Sequence, residues 1–248
     1  MSIHSNNSPG QGDNYEVISY LKLRQFIGII GFLLPLILVV GASLIGRCND
    51  LQPSISHYYY SIMHIMFVGT LSVLGGFLFT YKGKSNFENK VSNFAGAFSF
   101  GVAVFPTSFD GFIGGGSDCQ FIKLTTAKPI PSFISYMHFG LAALLFICFV
   151  IFCIKIFQES DLGIIDKKKL RRNKIYKACG TVIISSIVAM AAITVYRYIT
   201  NDPFFPFYIF IFETTSLLAF GFSWLLKGSV SWTNAKSPIK RKAIQYFR

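Results

Sequence analysis

Charge is sparse in six long intervals of this chain, and each one is long enough to decide the solvent in which it folds. The intervals fall at 26–46, 62–81, 91–109, 133–157, 176–197 and 205–226. A mostly apolar run of about twenty residues, wound as a helix, matches the ~30 Å hydrocarbon core of a bilayer. Composition agrees: 52% of the 248 residues are hydrophobic and 14% are charged, where soluble domains average about 25% charged. The sequence therefore predicts an all-α polytopic membrane protein. Residues 1–20, rich in Ser, Asn and Gly, read as a disordered N-terminus, 21–228 as a six-helix transmembrane bundle, and 229–248 as a basic tail.

The connectors differ sharply in basic content. Lys22 and Arg24 precede the first interval, and Lys82, Lys84 and Lys90 surround the second connector. Eight basic residues between Lys155 and Lys177 follow the fourth interval, and Lys227, Lys236, Lys240, Arg241, Lys242 and Arg248 follow the sixth. Of the 23 Lys and Arg residues, only Arg47, Lys123, Lys128 and Arg197 fall elsewhere. Basic connectors stay in the cytoplasm. Both termini are thus expected inside, and the loops 47–61, 110–132 and 198–204 outside. The net charge of +12 sits beside apolar spans and without any nucleic-acid-binding motif, so nucleic acid is not the expected partner. The dense run Lys167–Lys177 is expected to lie against anionic lipid. Val40-Gly41-Ala42 resembles a cleavage site, but the long polar segment before it and the apolar run after it argue against a removable signal.

Cys148, Cys153 and Cys179 fall inside apolar intervals and read as packing residues. Cys48 and Cys119 fall on outward loops, where an oxidising compartment permits a Cys48–Cys119 bridge. Small residues such as Gly28, Gly31, Gly75, Gly96 and Gly101 offer places for helices to approach closely. A homo-oligomer remains open.

Polar groups inside lipid are expensive and need a reason. Most of those here fall toward the outer side. Glu213 lies some eight residues into the sixth interval, on the order of 12 Å deep. It shares a face with Ser216 and Ser223. A binding site and a hydrogen-bonded packing carboxyl are both compatible with that placement. His138 opens the fourth interval. His64 opens the second, with Ser61 and His57 upstream; an early helix start would make these three a polar stripe continuing to Ser72 and Gly75. Asp110 and Arg197 end their spans, and Tyr58, Tyr59 and Tyr60 read as interfacial anchors.

His64, His138, Asp110 and Glu213 are the right types for zinc, but no HxxxH or HExxH pair accompanies them, so no metal or other cofactor is expected. The heptahelical membrane hydrolases need a Ser-xxx-His early and a His-xxx-His in the last span. Here Ser61 and His64 are too close, and the sixth interval has no histidine. A nucleophile–base pair assembled across spans stays possible, with His138, His64, Glu213 and Asp110 as candidate catalytic residues.

Pro53-Ser54-Ile55-Ser56 directly follows the first span, His138-x-Gly140 opens the fourth with Ala142, Ala143 and Phe146, Gln158 closes it, and Glu213 precedes Phe220 and Phe222. In this order over six spans, the chain resembles the family of damage-regulated autophagy modulators and GPI-anchor lipid-remodelling membrane proteins. The run Ser54–Tyr60, with Phe67-Val-Gly, Tyr81-Lys-Gly and Ala219–Gly228, is similar to uncharacterised bacterial six-span proteins. The resemblance implies a lipid-linked role on the outer face of a bacterial inner membrane. The leading expectation is lipid-headgroup recognition, or modulation of lipids, by Glu213, His138, Arg197, Ser54, Ser56 and Tyr58. One alternative is an intramembrane lipid hydrolase or acyltransferase with a His base. Another is a non-enzymatic scaffold for partner helices. Because no catalytic spacing appears, binding is favoured over catalysis.

Overall fold

The computed structural model describes residues 12–83, 85–109, 131–159 and 167–235. Among them are six α-helices and no strand: α1 (Gly12–Gly46), α2 (His64–Thr80), α3 (Asn86–Val104), α4 (Ser132–Ile154), α5 (Lys167–Thr200) and α6 (Tyr208–Ala235). Two short 3-10 turns, Ile55–Tyr60 and Ile156–Gln158, interrupt the connectors. Four helices are long and apolar enough to cross a membrane, over Leu21–Gly46, Ser132–Gln158, Lys167–Thr200 and Tyr208–Ser229. The two remaining intervals give lesser helices. α2 has 17 residues, about 26 Å at 1.5 Å per residue, and α3 carries Glu88 and Lys90 near its start.

Several boundaries differ from the sequence reading, each for a local reason. α1 begins at Gly12 rather than near 21, there being no proline or further glycine between Gly12 and Leu21 to break it. α3 stops at Val104, not 109, since Pro106 disfavours helix in the residue before it and has no N–H to donate. α5 takes in the basic run from Lys167, and α6 continues through Ala235 into the tail. α1 keeps its helix through Pro35 and ends where Arg47 adopts left-handed backbone, φ 51°. There the Cys48 amide turns back onto the Ala42 carbonyl at 3.0 Å, giving one of the orphan end carbonyls a donor. Ser85 caps α3 by accepting the Glu88 amide at 3.1 Å, as its Ser-x-x-Glu spacing suggests.

Each helix packs against its neighbours in the chain, and α6 returns to pack most extensively of all on α1. The six helices thus form a closed ring. Glycines set the spacing of two of its seams. A Cβ on Gly28 would stand 2.7 Å from the Leu225 nitrogen, and one on Gly221 2.6 Å from the Phe32 nitrogen. Only residues without a side chain allow α1 and α6 this approach. Along α2–α3, Gly75 and Gly96 face one another in the same way. On either side of that pair, Ser99 Oγ donates to the Leu71 carbonyl and Ser92 Oγ to the Leu78 carbonyl, both at 2.7 Å.

Phe149, Phe152, Phe157, Phe220 and Trp224 fill the middle of the ring, with Phe149 stacked on Phe220 at 3.6 Å. The outward faces are apolar too: Phe26, Leu44, Ile65, Phe94, Phe133, Val188 and Tyr198 are exposed. An apolar core with an equally apolar perimeter is the surface of a protein solvated by lipid.

The two ends of the ring differ. At one end Arg24, buried, donates to the Tyr81 hydroxyl (2.6 Å), which donates to Glu88 Oε1 (2.6 Å), tying α1 to α3. Lys169 and Lys227 both donate to the Phe157 carbonyl there, and Lys155 lies over the Phe87 ring. At the opposite end the connector after α1 meets Thr107, beyond α3, and the start of α6.

The seam glycines give a direct test. Gly28→Ala forces a methyl into backbone and should lower stability by ~1–3 kcal/mol, read as a lower thermal unfolding midpoint in detergent. At Gly69 a Cβ meets nothing within 4 Å, so Gly69→Ala should leave that midpoint unchanged or raise it.

Candidate functional site

The connector from Arg47 to Met63 folds down over the ring instead of arching away from it. Its 3-10 turn Ile55–Tyr60 buries Ile55, Ser56, His57, Tyr58 and Tyr60. Backbone taken out of water needs partners, and α6 supplies them. The Ile55 amide donates to Glu213 Oε2 at 2.8 Å, and the Pro53 carbonyl accepts the Phe210 amide at 3.0 Å. The latter satisfies one of the N–H groups that the first turn of any helix leaves free. Because α6 starts at Tyr208, Glu213 lies about 8 Å into its helix rather than the greater depth expected, and it is only partly buried.

On the other side of the turn stands α4. His138, 1% exposed, has Nδ1 2.7 Å from the Phe105 carbonyl and Nε2 2.9 Å from Ser56 Oγ. A carbonyl only accepts, so Nδ1 carries the proton. In the neutral ring Nε2 is then the acceptor and the Ser56 hydroxyl its donor. The Phe105 carbonyl is in reach because α3 has ended just before Pro106. Pro106, inside the 91–109 interval, was the sequence signal for that free carbonyl.

The remaining polar groups are spent within the connector. Ser54 Oγ and His57 Nδ1 pair at 2.6 Å. Ser61 Oγ donates to the Tyr58 carbonyl and accepts the Met63 amide. His64 Nδ1 meets the Tyr59 carbonyl at 2.7 Å, its ring edge-on to that tyrosine. The expected stripe from His57 through Ser61 and His64 to Ser72 therefore does not form. Helix α2 begins only at His64, and the 3-10 turn with its following bend rotates the upstream residues off the helical face.

The tyrosines differ from interfacial anchors in the same way. Tyr58 and Tyr60 are each 1% exposed, and the Tyr60 hydroxyl donates to the Thr107 carbonyl. Burial pushes the Tyr58 phenol above its ordinary range, with the Gln52 backbone opposing it, and burial raises Tyr59 as well.

The connector, which also carries Tyr58 and the Ser54–His57 pair, thus joins Ser56 to His138 and, through the Ile55 amide, reaches Glu213, forming one polar layer. Arg197 is apart from it: its guanidinium lies 5.5 Å from the Tyr208 ring centre and makes no hydrogen bond or ion pair to Glu213 or His138. A groove of about 380 Å³ near the end of α5 is lined by Ala192, Ile193, Tyr196 and Phe204 and is almost wholly apolar. Among the described residues no three His, Cys, Asp or Glu side chains converge as a metal site would require. Asp110 lies outside the described residues. Cys48 is disulfide-bonded and Cys148, Cys153 and Cys179 are free; Cys119, the expected partner, also lies outside the described residues. Sequence reasoning also missed Arg24 as a buried, paired charge, having counted it only as a topology signal.

Comparison with protein-family models, with curated proteins and with solved structures finds no match to the chain.

The Ile55–Glu213 bond makes a graded prediction. Glu213→Leu leaves the Ile55 amide without an acceptor and should cost ~1–3 kcal/mol. Glu213→Gln keeps an oxygen in place and should cost distinctly less, with thermal unfolding in detergent ranking the two.

Proposed function

We propose that this chain is a six-span membrane protein with both termini cytoplasmic, and that it recognises or modulates membrane lipids on its extracytoplasmic side. The observation that carries the lipid reading is an apolar groove at the end of α5, lined by Tyr196, with Arg197 the next residue along the chain. A phospholipid brings both complements, an anionic phosphate and an acyl chain. The polar layer of Glu213, His138 and Ser56, with Ser54 and Tyr58 in the same connector, lies at the same end and completes the headgroup side of the reading. The resemblance to lipid-remodelling membrane proteins points the same way.

Topology rests on two supports. The basic residues Arg24, Lys155, Lys169 and Lys227 gather at one end of the ring, as cytoplasmic charge does. α2, at about 26 Å, is short of the ~30 Å core by an amount that local thinning accommodates. In α3, Glu88 and Lys90 fall at the basic end, at the depth of the headgroups.

Fusions test the orientation. Green fluorescent protein joined after Arg248 should fluoresce and alkaline phosphatase there should be inactive, with the opposite result for fusions at Asp202. The reverse pattern would exclude this topology. For lipid recognition, native mass spectrometry of the purified chain should show a co-purifying anionic phospholipid. In Arg197→Gln its retention should fall about fivefold, the equivalent of ~1 kcal/mol per interfacial charge. Equal retention in both proteins would remove Arg197 from the site.

A further inference from the structure

We propose that Ser56 and His138 form a nucleophile–base pair that transfers an acyl group from an ester-linked membrane lipid. The substrate class rests on the lipid reading above; the pair itself rests on geometry alone.

The geometry is that of an activated hydroxyl. Ser56 Oγ lies 2.9 Å from His138 Nε2, and Nδ1 is committed to the Phe105 carbonyl at 2.7 Å. Nucleophile, base and a third group that sets the tautomer are thus in line, contributed by three separate segments of the fold. The orienting group is a neutral carbonyl instead of a carboxylate. It fixes the ring but stabilises a developing imidazolium less, so a slow acyl transferase fits better than a fast hydrolase. Both partners are rigidly held. His138 sits on the second turn of α4, and Ser56 follows Ile55, whose amide is bound to Glu213. By contrast, Ser54 and His57 pair within a single turn through Nδ1, a local contact that any such turn makes.

Two further observations point to a lipid substrate. The wall that supplies the Phe105 carbonyl continues to Thr107, whose Oγ1 is buried without a hydrogen-bond partner. It is a donor free to meet a substrate oxygen. On α4, Tyr136, Met137 and Phe139 flank His138 and are exposed, so the same turn borders lipid. His138 lies about 9 Å along α4, near the boundary where glycerolipid ester carbonyls reside.

In the reaction, Ser56 Oγ adds to the ester carbonyl carbon while its proton passes to Nε2. The tetrahedral adduct collapses by breaking the bond from carbon to the alkoxy oxygen, and Nε2–H protonates that oxygen, releasing a lysolipid and leaving acyl-Ser56. Water or an acceptor alcohol then adds with its proton going to Nε2. The Ser56 oxygen leaves, recovers that proton, and a fatty acid or a new ester is released. No electrons are exchanged.

A fluorophosphonate probe tests this on the full-length detergent-purified protein without any lipid substrate. Wild type should gain one probe mass, mapped by peptide sequencing to Ser56. Ser185→Ala, an exposed serine of α5, should label like wild type, Ser56→Ala should not label, and His138→Gln should label at least ~100-fold more slowly, each at an unfolding midpoint showing a folded protein. A folded wild type that takes no label, label mapped to another serine, or an unchanged rate in His138→Gln would each overturn the pair. Labelling at Ser56 in a protein that retains no lipid would instead count against lipid recognition alone.

Discussion

The close approach of α1 and α6 is the contact on which the other features depend. With Gly28 and Gly221 each placed so that a single added carbon would fall within 3 Å of the opposing backbone, the last helix closes on the first and the row of six becomes a ring. Closure has consequences at both ends. At one, it sets Trp224 against Tyr81 and Phe157 and holds Arg24 over the gap to Glu88. At the other, it carries Phe210 and Glu213 under the connector that leaves α1 at Arg47. Without that proximity the Pro53 carbonyl and the Ile55 amide would lose the partners that α6 supplies, and an unpaired amide in a lipid-facing protein is costly.

The two ends solve the problem of buried polarity differently. The α1–α3 end uses charge: a guanidinium and a carboxylate, 3.9 Å apart and joined through a tyrosine hydroxyl. A buried ion pair brings little net stability, yet losing either partner leaves an uncompensated charge, so it fixes which helices meet. The connector end relies mostly on neutral groups, serine, histidine and backbone, with Glu213 the carboxyl that accepts the Ile55 amide. Neutral groups are cheaper to keep at membrane depth. They also leave a hydroxyl and an imidazole in contact, an arrangement with chemical consequences that a salt bridge lacks.

Lipid meets this end from the side. On the outer parts of α4 and α5 the large exposed side chains, Tyr136, Met137, Phe139, Val188, Val195 and Ile199, are apolar or aromatic, and Arg197 holds its guanidinium over the face of Tyr208. Such a cation–aromatic contact gives the guanidinium a partner without a carboxylate.

The long apolar helices, the clustering of basic residues at the ends of spans, and the small residues that form helix seams were all legible in the chain. Each follows from composition along a short window: length sets whether a helix can span, and a glycine permits close approach wherever the partner lies. Local windows failed where two segments compete or meet. The stripe through His57, Ser61 and His64 assumed one helix, but these residues lie in a 3-10 turn and a bend, turned by contacts with α4 and α6. Glu213, His138 and Ser56 could each be singled out in sequence as polar groups near one depth. That Ile55 reaches Glu213 and Ser56 reaches His138, while Arg197 stays apart, depends on pairs separated by 158 and 82 positions. Such pairings are decided only when the ring closes, because hydrogen-bond geometry is a matter of ångströms and sequence spacing within a helix says nothing about distance between helices.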